Sequence, residues 1–475
     1  MGPNSQYREF SICVKNKKVK KMRILLPVLL TAIMAASTAE RSFEDYQDEY
    51  QDEYTVKGHE KVVVCYWGTW ANYRPGAGKF TPEDIDPTLC THLIYTFAGL
   101  DPQTDEIKGL DPWFDLEEGG GLAGFRKATD LKYIYPHLKV SIAIGGWNEG
   151  SKNYSIMAAD SNRRFRFVNS VVRFLKKHNF DGLDLDWEYP GKRGGDPEND
   201  KFNFVQLIKD LKQAFRPHQF LLTAAVGAAT DTIEVAYGIK QMYKYLDYVH
   251  IMCYDYHGRW DLKTGHNAPL YPRPNEKGKD VLLNVDSTLE YLMKLGARPE
   301  KTVLGVPLYG RAFLLMNPHD YKMGARAKAE AFKGPYTREE GFLGYNEICE
   351  MLAHDYEDEW TYEWESSYMA PYIHKDLKWV SYDDQESITI KANYAFKKNL
   401  AGVMAWSIET DDFKGLCGGA TFPLLRSINH ALHRQEQGIA AGIVARPGSI
   451  LAILVVTLAI LNFKLGFSTC YFQLS

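Results

Sequence analysis

The sequence predicts an α/β fold, in which a (β/α)8 TIM barrel carries a small α+β insertion after its seventh strand. The first observation is a series of short segments rich in apolar, β-branched or aromatic residues, at 61–67, 92–99, 139–146, 182–188, 221–227, 248–255, 302–310 and 402–409. The second is that helical stretches separate these segments, which indicates parallel strands joined by right-handed crossovers. The third is an interval of about 90 residues before the last segment, far longer than an ordinary loop.

The stretches between the strand segments have a helical period. In residues 162–178 and 200–214 the apolar side chains recur at intervals of three and four, as on one face of a helix. Eight strand–helix units in one domain indicate a closed barrel, whose active sites form at the carboxyl ends of the strands. The inserted lobe, expected at about 314–378, follows the seventh strand and is therefore predicted to lie at that same end.

The fourth strand segment carries three carboxylates at alternate positions, Asp184, Asp186 and Glu188. Because side chains alternate between the faces of a strand, the three share one face, and Leu183 and Leu185 lie on the other. Three carboxylates this close cannot all ionise cheaply, so at least one proton should be retained at neutral pH, with coupled titration. A retained proton is what a general acid needs.

Two other interpretations of the three acids are a solvated acidic edge and a divalent-metal site. A closed barrel has no edge strands, which argues against the first. Carboxylates at alternate positions could ligate magnesium or manganese, but neither a histidine nor a further acidic cluster accompanies them on the strand. We therefore predict neither a metal nor a cofactor. The net charge of −4 gives no electrostatic footprint for nucleic acid.

The segment FDGLDLDWEYP, at 180–190, resembles the signature of the family-18 glycoside hydrolases, the chitinase family. Five further segments resemble motifs of that family in the same order: KVSIAIGGW at 139–147, MCYDYHG at 252–258, GVPLYGRAF at 305–313, WVSYDD at 379–384 and GVMAWSIETDDF at 402–413. The resemblance spans about 60–430 and is strongest to animal-type chitinases that carry the inserted lobe. One departure is Cys253, where the family commonly has Thr or Ser.

The resemblance implies hydrolysis of β-1,4-linked N-acetylglucosamine polymers with retention, in a family where the substrate's own N-acetyl group assists. The residues agree, since all three acids come from one strand and none is obviously placed as a separate nucleophile. Glu188 would protonate the glycosidic oxygen and later activate water, and Asp186 would orient the acetamido group. Asp184 would hold the proton balance of Asp186, and Tyr254 would hydrogen-bond the acetamido carbonyl.

The resemblance also implies a substrate-binding groove. Trp406 would form the floor under the distorted sugar, since ring stacking on indole supplies area and geometry, and Asp255 would contact that sugar. Further candidates for lining the groove are Met252, Tyr309, Arg311, Trp147, Tyr66, Phe97 and Trp70. Trp70 could equally cap the first βα loop.

Cysteine pairing follows from the same resemblance, which implies disulfides Cys65–Cys90 and Cys349–Cys417. Cys253 lies inside a strand segment and is predicted to be a buried thiol. Asn153 begins an Asn-Tyr-Ser sequon and is a candidate glycosylation site. No group of cysteines has zinc-ligand spacing.

The chain ends predict export and attachment to the cell surface. Residues 1–39 resemble a basic extension followed by a signal peptide, because the apolar run at 24–36 is short for a bilayer span; a short anchor is the alternative. Residues 40–59 form an acidic linker, 60–435 the catalytic barrel and 436–475 a tail. A hydrophobic stretch at about 449–467 predicts a membrane anchor, either a transmembrane helix or a lipid-anchor signal. We expect an extracellular monomer.

Two non-enzymatic functions compete with chitin hydrolysis. One is a lectin-like surface protein that binds chitin oligosaccharides without cleaving them. The other is an adhesion or signalling protein that uses the barrel only as a scaffold, which fold alone does not exclude. The presence of Glu188 together with Asp184, Asp186 and Tyr254 favours the hydrolase.

Overall fold

The computed structural model describes residues 55–354 and 360–444. In chain order its strands are β1 (Val62–Gly68), β2 (His92–Asp101), β3 (Glu106–Gly109), β4 (Lys139–Gly145), β5 (Gly182–Asp186), β6 (Leu221–Gly227), β7 (Tyr248–Met252), β8 (Thr302–Pro307), β9 (Tyr309–Leu314), β10 (Phe342–Gly344), β11 (Thr361–Glu365), β12 (Ala370–Lys375), β13 (Lys378–Ser381) and β14 (Gly402–Trp406).

The α-helices lie mainly between the barrel strands. In chain order they are α1 (Pro112–Asp115), α2 (Gly124–Ile134), α3 (Lys152–Ala159), α4 (Ser161–Lys177), α5 (Asp200–Phe215), α6 (Thr230–Ala236), α7 (Ile239–Met242), α8 (Val285–Lys294), α9 (Tyr345–His354), α10 (Gln385–Lys397) and α11 (Pro423–Val444). The start of α4 shows how the sequence fixes an end, because the Asp160 carboxylate accepts from the backbone N–H groups of Asn162 and Arg163.

Eight parallel strands close into a barrel in the order β1-β14-β8-β7-β6-β5-β4-β2, and β1 pairs with β2 to complete the ring. Each strand overlaps one of the eight predicted segments, so the predicted TIM barrel is confirmed, although the segments 182–188, 248–255, 302–310 and 402–409 run past the strand ends. A short strand that the sequence analysis did not predict, β3, pairs antiparallel with β2. Four residues are too few for an alternating pattern to stand out.

The main core lies between the strands and the surrounding helices. Leu183 and Leu185 of β5 pack there with Phe167, Val171 and Leu175 from one face of α4. Each such buried side chain contributes about 1.5–3 kcal/mol through the hydrophobic effect. The opposite face of β5 is therefore left to point into the barrel.

The inserted lobe is a five-stranded antiparallel sheet, in the order β10-β9-β13-β12-β11, with α9 packed on it. It extends from Tyr309 to Ser381, beyond both ends of the predicted 314–378. The predicted seventh segment in fact contains two strands, since β8 ends at Pro307 and β9 begins at Tyr309. An unbroken apolar run gives no signal of that change of sheet.

Both predicted disulfides are present. Cys65–Cys90 links β1 to the segment that leads into β2, and Cys349–Cys417 links α9 of the lobe to the loop that follows β14. Cys253 is a buried free thiol, as predicted.

The chain ends are described only in part. The export segment 1–39, the linker up to residue 54 and the hydrophobic stretch at 449–467 lie outside the described residues. At the predicted boundary near 435 the chain continues in one helix, because α11 runs to Val444. None of the helices in the described ranges combines the length and apolarity needed to cross a bilayer.

Candidate active site

The three carboxylates predicted on the fourth barrel strand lie inside the barrel, Asp184 and Asp186 on β5 and Glu188 two residues past its end. Asp184 is fully buried, and Asp186 and Glu188 are 2% and 9% exposed. Their neighbours Leu183 and Leu185 belong to the core outside the barrel. Strand alternation therefore places the acids on the inner face, with Glu188 closest to the carboxyl end, where active sites of this fold form.

Asp184 is held by groups from three other strands. Tyr66 of β1 donates from its hydroxyl to Oδ2 at 2.6 Å, and Thr223 of β6 donates to Oδ1 at 2.5 Å. Nδ1 of His250 from β7 lies 2.7 Å from the Tyr66 oxygen and 3.3 Å from Asp184 Oδ1. Since the one hydroxyl hydrogen of Tyr66 is directed at Asp184, Nδ1 of His250 must be the donor to Tyr66. These contacts hold Asp184 in a single orientation.

Asp186 and Glu188 follow Asp184 towards the carboxyl end of the barrel, and both are buried. Burial, and then the charges of Glu188 and Asp184, raise the pKa of Asp186 well above its ordinary value. Burial raises the pKa of Glu188 to about 7; the charge of Asp255 acts in the same direction, and a hydrogen bond with Tyr189 opposes it. Oδ1 of Asp186 is buried and has no hydrogen-bond partner among the described residues. This oxygen is available to an N–H donor of a ligand.

Two hydrogen bonds fix the turn on either side of Glu188. Trp187 Nε1 donates to Ser151 Oγ at 2.6 Å, and that hydroxyl donates to the backbone oxygen of Tyr189 at 2.8 Å. Ser151 itself follows β4, so two adjacent strand ends share the anchor. Glu188 is thus held near the carboxyl end of the barrel by its flanking residues.

Asp255 follows β7 and connects the barrel to the lobe. Its Oδ1 accepts from the Tyr309 hydroxyl at 2.6 Å and from Arg311 Nε at 2.7 Å, and both donors lie on β9. The backbone is left-handed at Asp255, with φ 59°, and its N–H donates to Asn267 Oδ1 at 2.9 Å. The preceding residue, Tyr254, is buried inside the barrel.

Aromatic rings surround the mouth of the barrel, where its strands end. Trp406, at the end of β14, lies 5.5 Å from Tyr66, 6.0 Å from Phe97 and 6.3 Å from Trp70 between ring centroids. Trp70 stacks on Phe97 at 6.1 Å and 12° and is 43% exposed. Trp70 therefore extends the Trp406 surface, which favours the groove over a capping role. Trp147, after β4, is 59% exposed.

The structure brings most predicted site residues together. Asp184, Asp186, Glu188, Tyr254 and Met252 line the barrel interior with Tyr66. The remaining groove candidates lie around its mouth: Phe97 and Trp406 on β2 and β14, Trp70, Trp147 and Asp255 after β1, β4 and β7, and Tyr309 and Arg311 on β9 of the lobe. The predicted glycosylation site Asn153 is separate, exposed on α3.

Three residues of the site were missed by sequence analysis: Thr223, His250 and Arg193. Thr223 and His250 occupy inward-facing positions of β6 and β7, and His250 lies two residues before Met252 and four before Tyr254. The same alternation that identified the acids could have found His250. Arg193 lies in an irregular turn, where no periodic signal exists.

Among the described residues, one group of side chains approaches metal-ligand spacing, namely Cys349, Asp412 and Cys417. Its two sulfur atoms are joined in a disulfide. They are therefore not thiolates that could bind a metal ion.

Comparison with known families decides the classification. Residues 62–411 match the family described as Glycosyl hydrolases family 18. This chain belongs to family 18 of the glycosyl hydrolases. The family-18 match covers every barrel strand and the whole inserted lobe.

Relatives of this family-18 hydrolase include proteins named as chitinases and proteins of known structure. It is 48% identical to Probable chitinase 2 of Drosophila melanogaster over 402 residues, which are 78% of this chain and 81% of that protein. It is 40% identical to an Endochitinase of Manduca sexta, over 77% and 66% of the two chains. Among solved structures, this chain resembles the crystal structure of Ostrinia furnacalis Group IV chitinase in complex with allosamidin, with a TM-score of 0.76. The sequence identity is 45%, and the alignment covers 79% of this chain and 99% of the Ostrinia chain.

Proposed function

We propose that this family-18 hydrolase is a chitinase that cleaves β-1,4-linked N-acetylglucosamine polymers with retention. The observation that carries the proposal is the placement of two buried carboxyl groups, those of Asp186 and Glu188, inside the barrel at the carboxyl end of one strand. A glutamic acid with a pKa of about 7 holds a proton over much of the neutral range, as a general acid must. The named chitinases among the relatives support the same substrate class.

In the first step the substrate supplies its own nucleophile. The N-acetyl carbonyl oxygen attacks the anomeric carbon, the glycosidic C–O bond breaks, and Glu188 transfers its proton to the leaving oxygen. The acetamido N–H needs an acceptor as its nitrogen becomes positive. Oδ1 of Asp186, buried and without another partner among the described residues, is suited to accept it.

In the second step Glu188 acts as a base. Its carboxylate takes a proton from water, and the water oxygen attacks the anomeric carbon from the face that the leaving group vacated. The oxazolinium ring opens, the configuration is retained, and Glu188 is protonated again. Asp184, fixed by Tyr66 and Thr223, stabilises the proton distribution of Asp186 through both steps.

The groove residues hold the sugar in place for this chemistry. Trp406 supplies a ring surface beneath the sugar at the barrel centre, and Tyr254 projects beside the acids. Asp255 is oriented by Tyr309 and Arg311 from the lobe. We infer that Asp255 accepts a hydrogen bond from a sugar hydroxyl through the capacity its protein donors leave free.

The decisive experiment compares the Glu188→Gln and Glu198→Gln variants with the unaltered chain on chitotetraose. Glu198 is an exposed glutamate ten residues further on, so it controls for the substitution itself. Glu188→Gln is expected to lower kcat by at least about 10²-fold and to keep oligosaccharide binding in calorimetry. NMR of the new reducing end should show the β anomer first. Near-normal turnover by Glu188→Gln, or α-anomer product, would refute the proposal.

We further propose that the protein works outside the cell, attached to its surface. Two disulfides within the folded domain suit an oxidising compartment. The predicted signal peptide, the hydrophobic stretch at 449–467 and a glycan on exposed Asn153 complete this proposal. Phosphoinositide-specific phospholipase on intact expressing cells would release a lipid-anchored protein and leave a transmembrane one. Recovery of full-length protein in the medium of untreated cells would overturn attachment.

A further inference from the structure

Arg193 is an exposed residue in the turn that follows the catalytic strand, and its side chain reaches back to two parts of the active site. Its Nη1 donates to the backbone oxygen of Trp147 at 2.8 Å and to that of Glu188 at 3.0 Å. Because one nitrogen contacts both, the two oxygens lie within about 6 Å of each other. The guanidinium thus bridges the ends of β4 and β5.

The same guanidinium covers one face of the Trp147 indole, with its central carbon 3.6 Å from the ring centroid. Cation–π attraction favours this arrangement. Trp147 remains 59% exposed, so its other face is free to take a sugar ring. Arg193 therefore fixes the orientation of an aromatic surface next to the catalytic acid.

The conformation of the turn fixes the direction of the Arg193 side chain. Its backbone is left-handed, with φ 53°, a conformation uncommon for residues other than glycine. Hydrogen bonds from Lys192 N to Tyr189 O at 3.0 Å and from Gly191 N to buried Asp200 Oδ2 at 3.0 Å hold the turn. A strained residue held by its surroundings points to a function for its side chain.

We propose that Arg193 is a positioning residue, which holds the Trp147 indole and the Glu188 backbone together so that both act on the same bound chitin chain. The inference rests on the proposed chitinase function. Arg193 acts through Trp147 and Glu188 and does not itself touch the reacting atoms.

The charge of Arg193 has a second effect that geometry alone does not give. The groups that face Glu188 are Asp186 from β5, Tyr189, Tyr237, Tyr254, Asp255 and Arg193. Among these Arg193 carries the positive charge, and it lowers the pKa of Glu188 against the larger effect of burial. Loss of that charge should raise the pKa and move the alkaline limb of activity to higher pH.

The test uses Arg193→Met, Arg193→Lys, Trp147→Ala and the Arg193→Met/Trp147→Ala double variant with chitotetraose as substrate. Arg193→Met is expected to raise KM about tenfold with little change in kcat. The alkaline limb of its pH–activity profile should move to higher pH. Arg193→Lys keeps the charge but cannot both stack and bridge, so KM should rise while the limb stays in place. In the Trp147→Ala background, Arg193→Met should leave KM nearly unchanged.

Three results would overturn the inference: an equal KM effect of Arg193→Met with and without Trp147, full recovery of KM in Arg193→Lys, or an unmoved limb in Arg193→Met. Unchanged thermal unfolding of the variants excludes misfolding as the cause. The unaltered chain and Glu188→Gln run in parallel. If the unaltered chain does not hydrolyse chitotetraose, the proposed function fails; if it does and Arg193→Met matches it, only this inference fails.

Discussion

Lys391 and Asp383 form an ion pair, 2.5 Å between Nζ and Oδ1, in which both side chains are fully buried. Lys391 lies on α10 of the barrel, and Asp383 follows β13, the last strand of the lobe. Ser387 Oγ also donates to Asp383 Oδ1, at 2.7 Å. The pair therefore joins the end of the lobe to the barrel.

Removing one partner of this pair should be far more damaging than removing both. Lys391→Met leaves a buried carboxylate without its cation, and we expect a loss of about 3–5 kcal/mol in the free energy of unfolding. The Lys391→Met/Asp383→Leu double variant should regain most of it. Urea denaturation measures both. A single-variant loss below about 1 kcal/mol, the range of exposed pairs, would contradict the prediction.

Activity should fall as the pH rises through about 7. The pKa of Glu188 is raised to about 7, so the protonated acid is present below that pH and lost above it. Asp255 contributes to the raised pKa, and Asp255→Asn should shift the alkaline limb of normalised kcat/KM to lower pH. The profile is measured with a soluble chitin oligosaccharide between pH 4 and 9, a range of roughly two to three pH units on either side of that pKa. An alkaline limb that moves to higher pH in Asp255→Asn would contradict the assignment of this limb to Glu188.

The hydroxyl that holds Asp184 should matter for turnover and not only for folding. Tyr66→Phe removes the 2.6 Å hydrogen bond to Asp184, and we expect kcat to fall about tenfold, the effect of about 1.4 kcal/mol. Tyr95→Phe is a matched control, because the Tyr95 hydroxyl is equally buried but donates to Asp115, outside the barrel interior. Equal kcat losses in the two variants would show that the effect is structural.

The two disulfides should differ in what their loss costs. Cys349–Cys417 closes a chain segment of 68 residues and Cys65–Cys90 one of 25. On chain-entropy grounds paired Cys→Ser substitutions should cost about 4.4 and about 3.5 kcal/mol respectively. Guanidinium denaturation of each double variant checks the order. Greater loss from the shorter loop would mean that native packing around Cys65, and not chain entropy, determines the cost.

The barrel and its acids could be predicted from sequence because both depend on local patterns. The alternation of Asp184, Asp186 and Glu188 with aliphatic neighbours already fixes which way the three acids face. The partners of those acids depend on contacts between distant strands. Tyr66 and Asp184 are 118 positions apart, and Thr223 and Asp184 are 39 apart, so pairing them requires the register of the closed barrel.

The lobe boundary and Arg193 were beyond prediction for different reasons. Between β8 and β9 the chain changes sheets at Leu308 without any break in apolar character. Arg193 acts from an irregular turn, and its hydrogen-bond acceptors are backbone oxygens, which every residue type provides. No side-chain pattern can report such contacts.

The first strand of the lobe supplies Tyr309 and Arg311, which both donate hydrogen bonds to Asp255 at the barrel mouth. The lobe therefore contributes directly to the geometry of the active site. Engineers who trim it to obtain a minimal barrel would remove two of the groups that orient Asp255, and chimeras that exchange lobes between relatives must keep the first lobe strand with its original barrel.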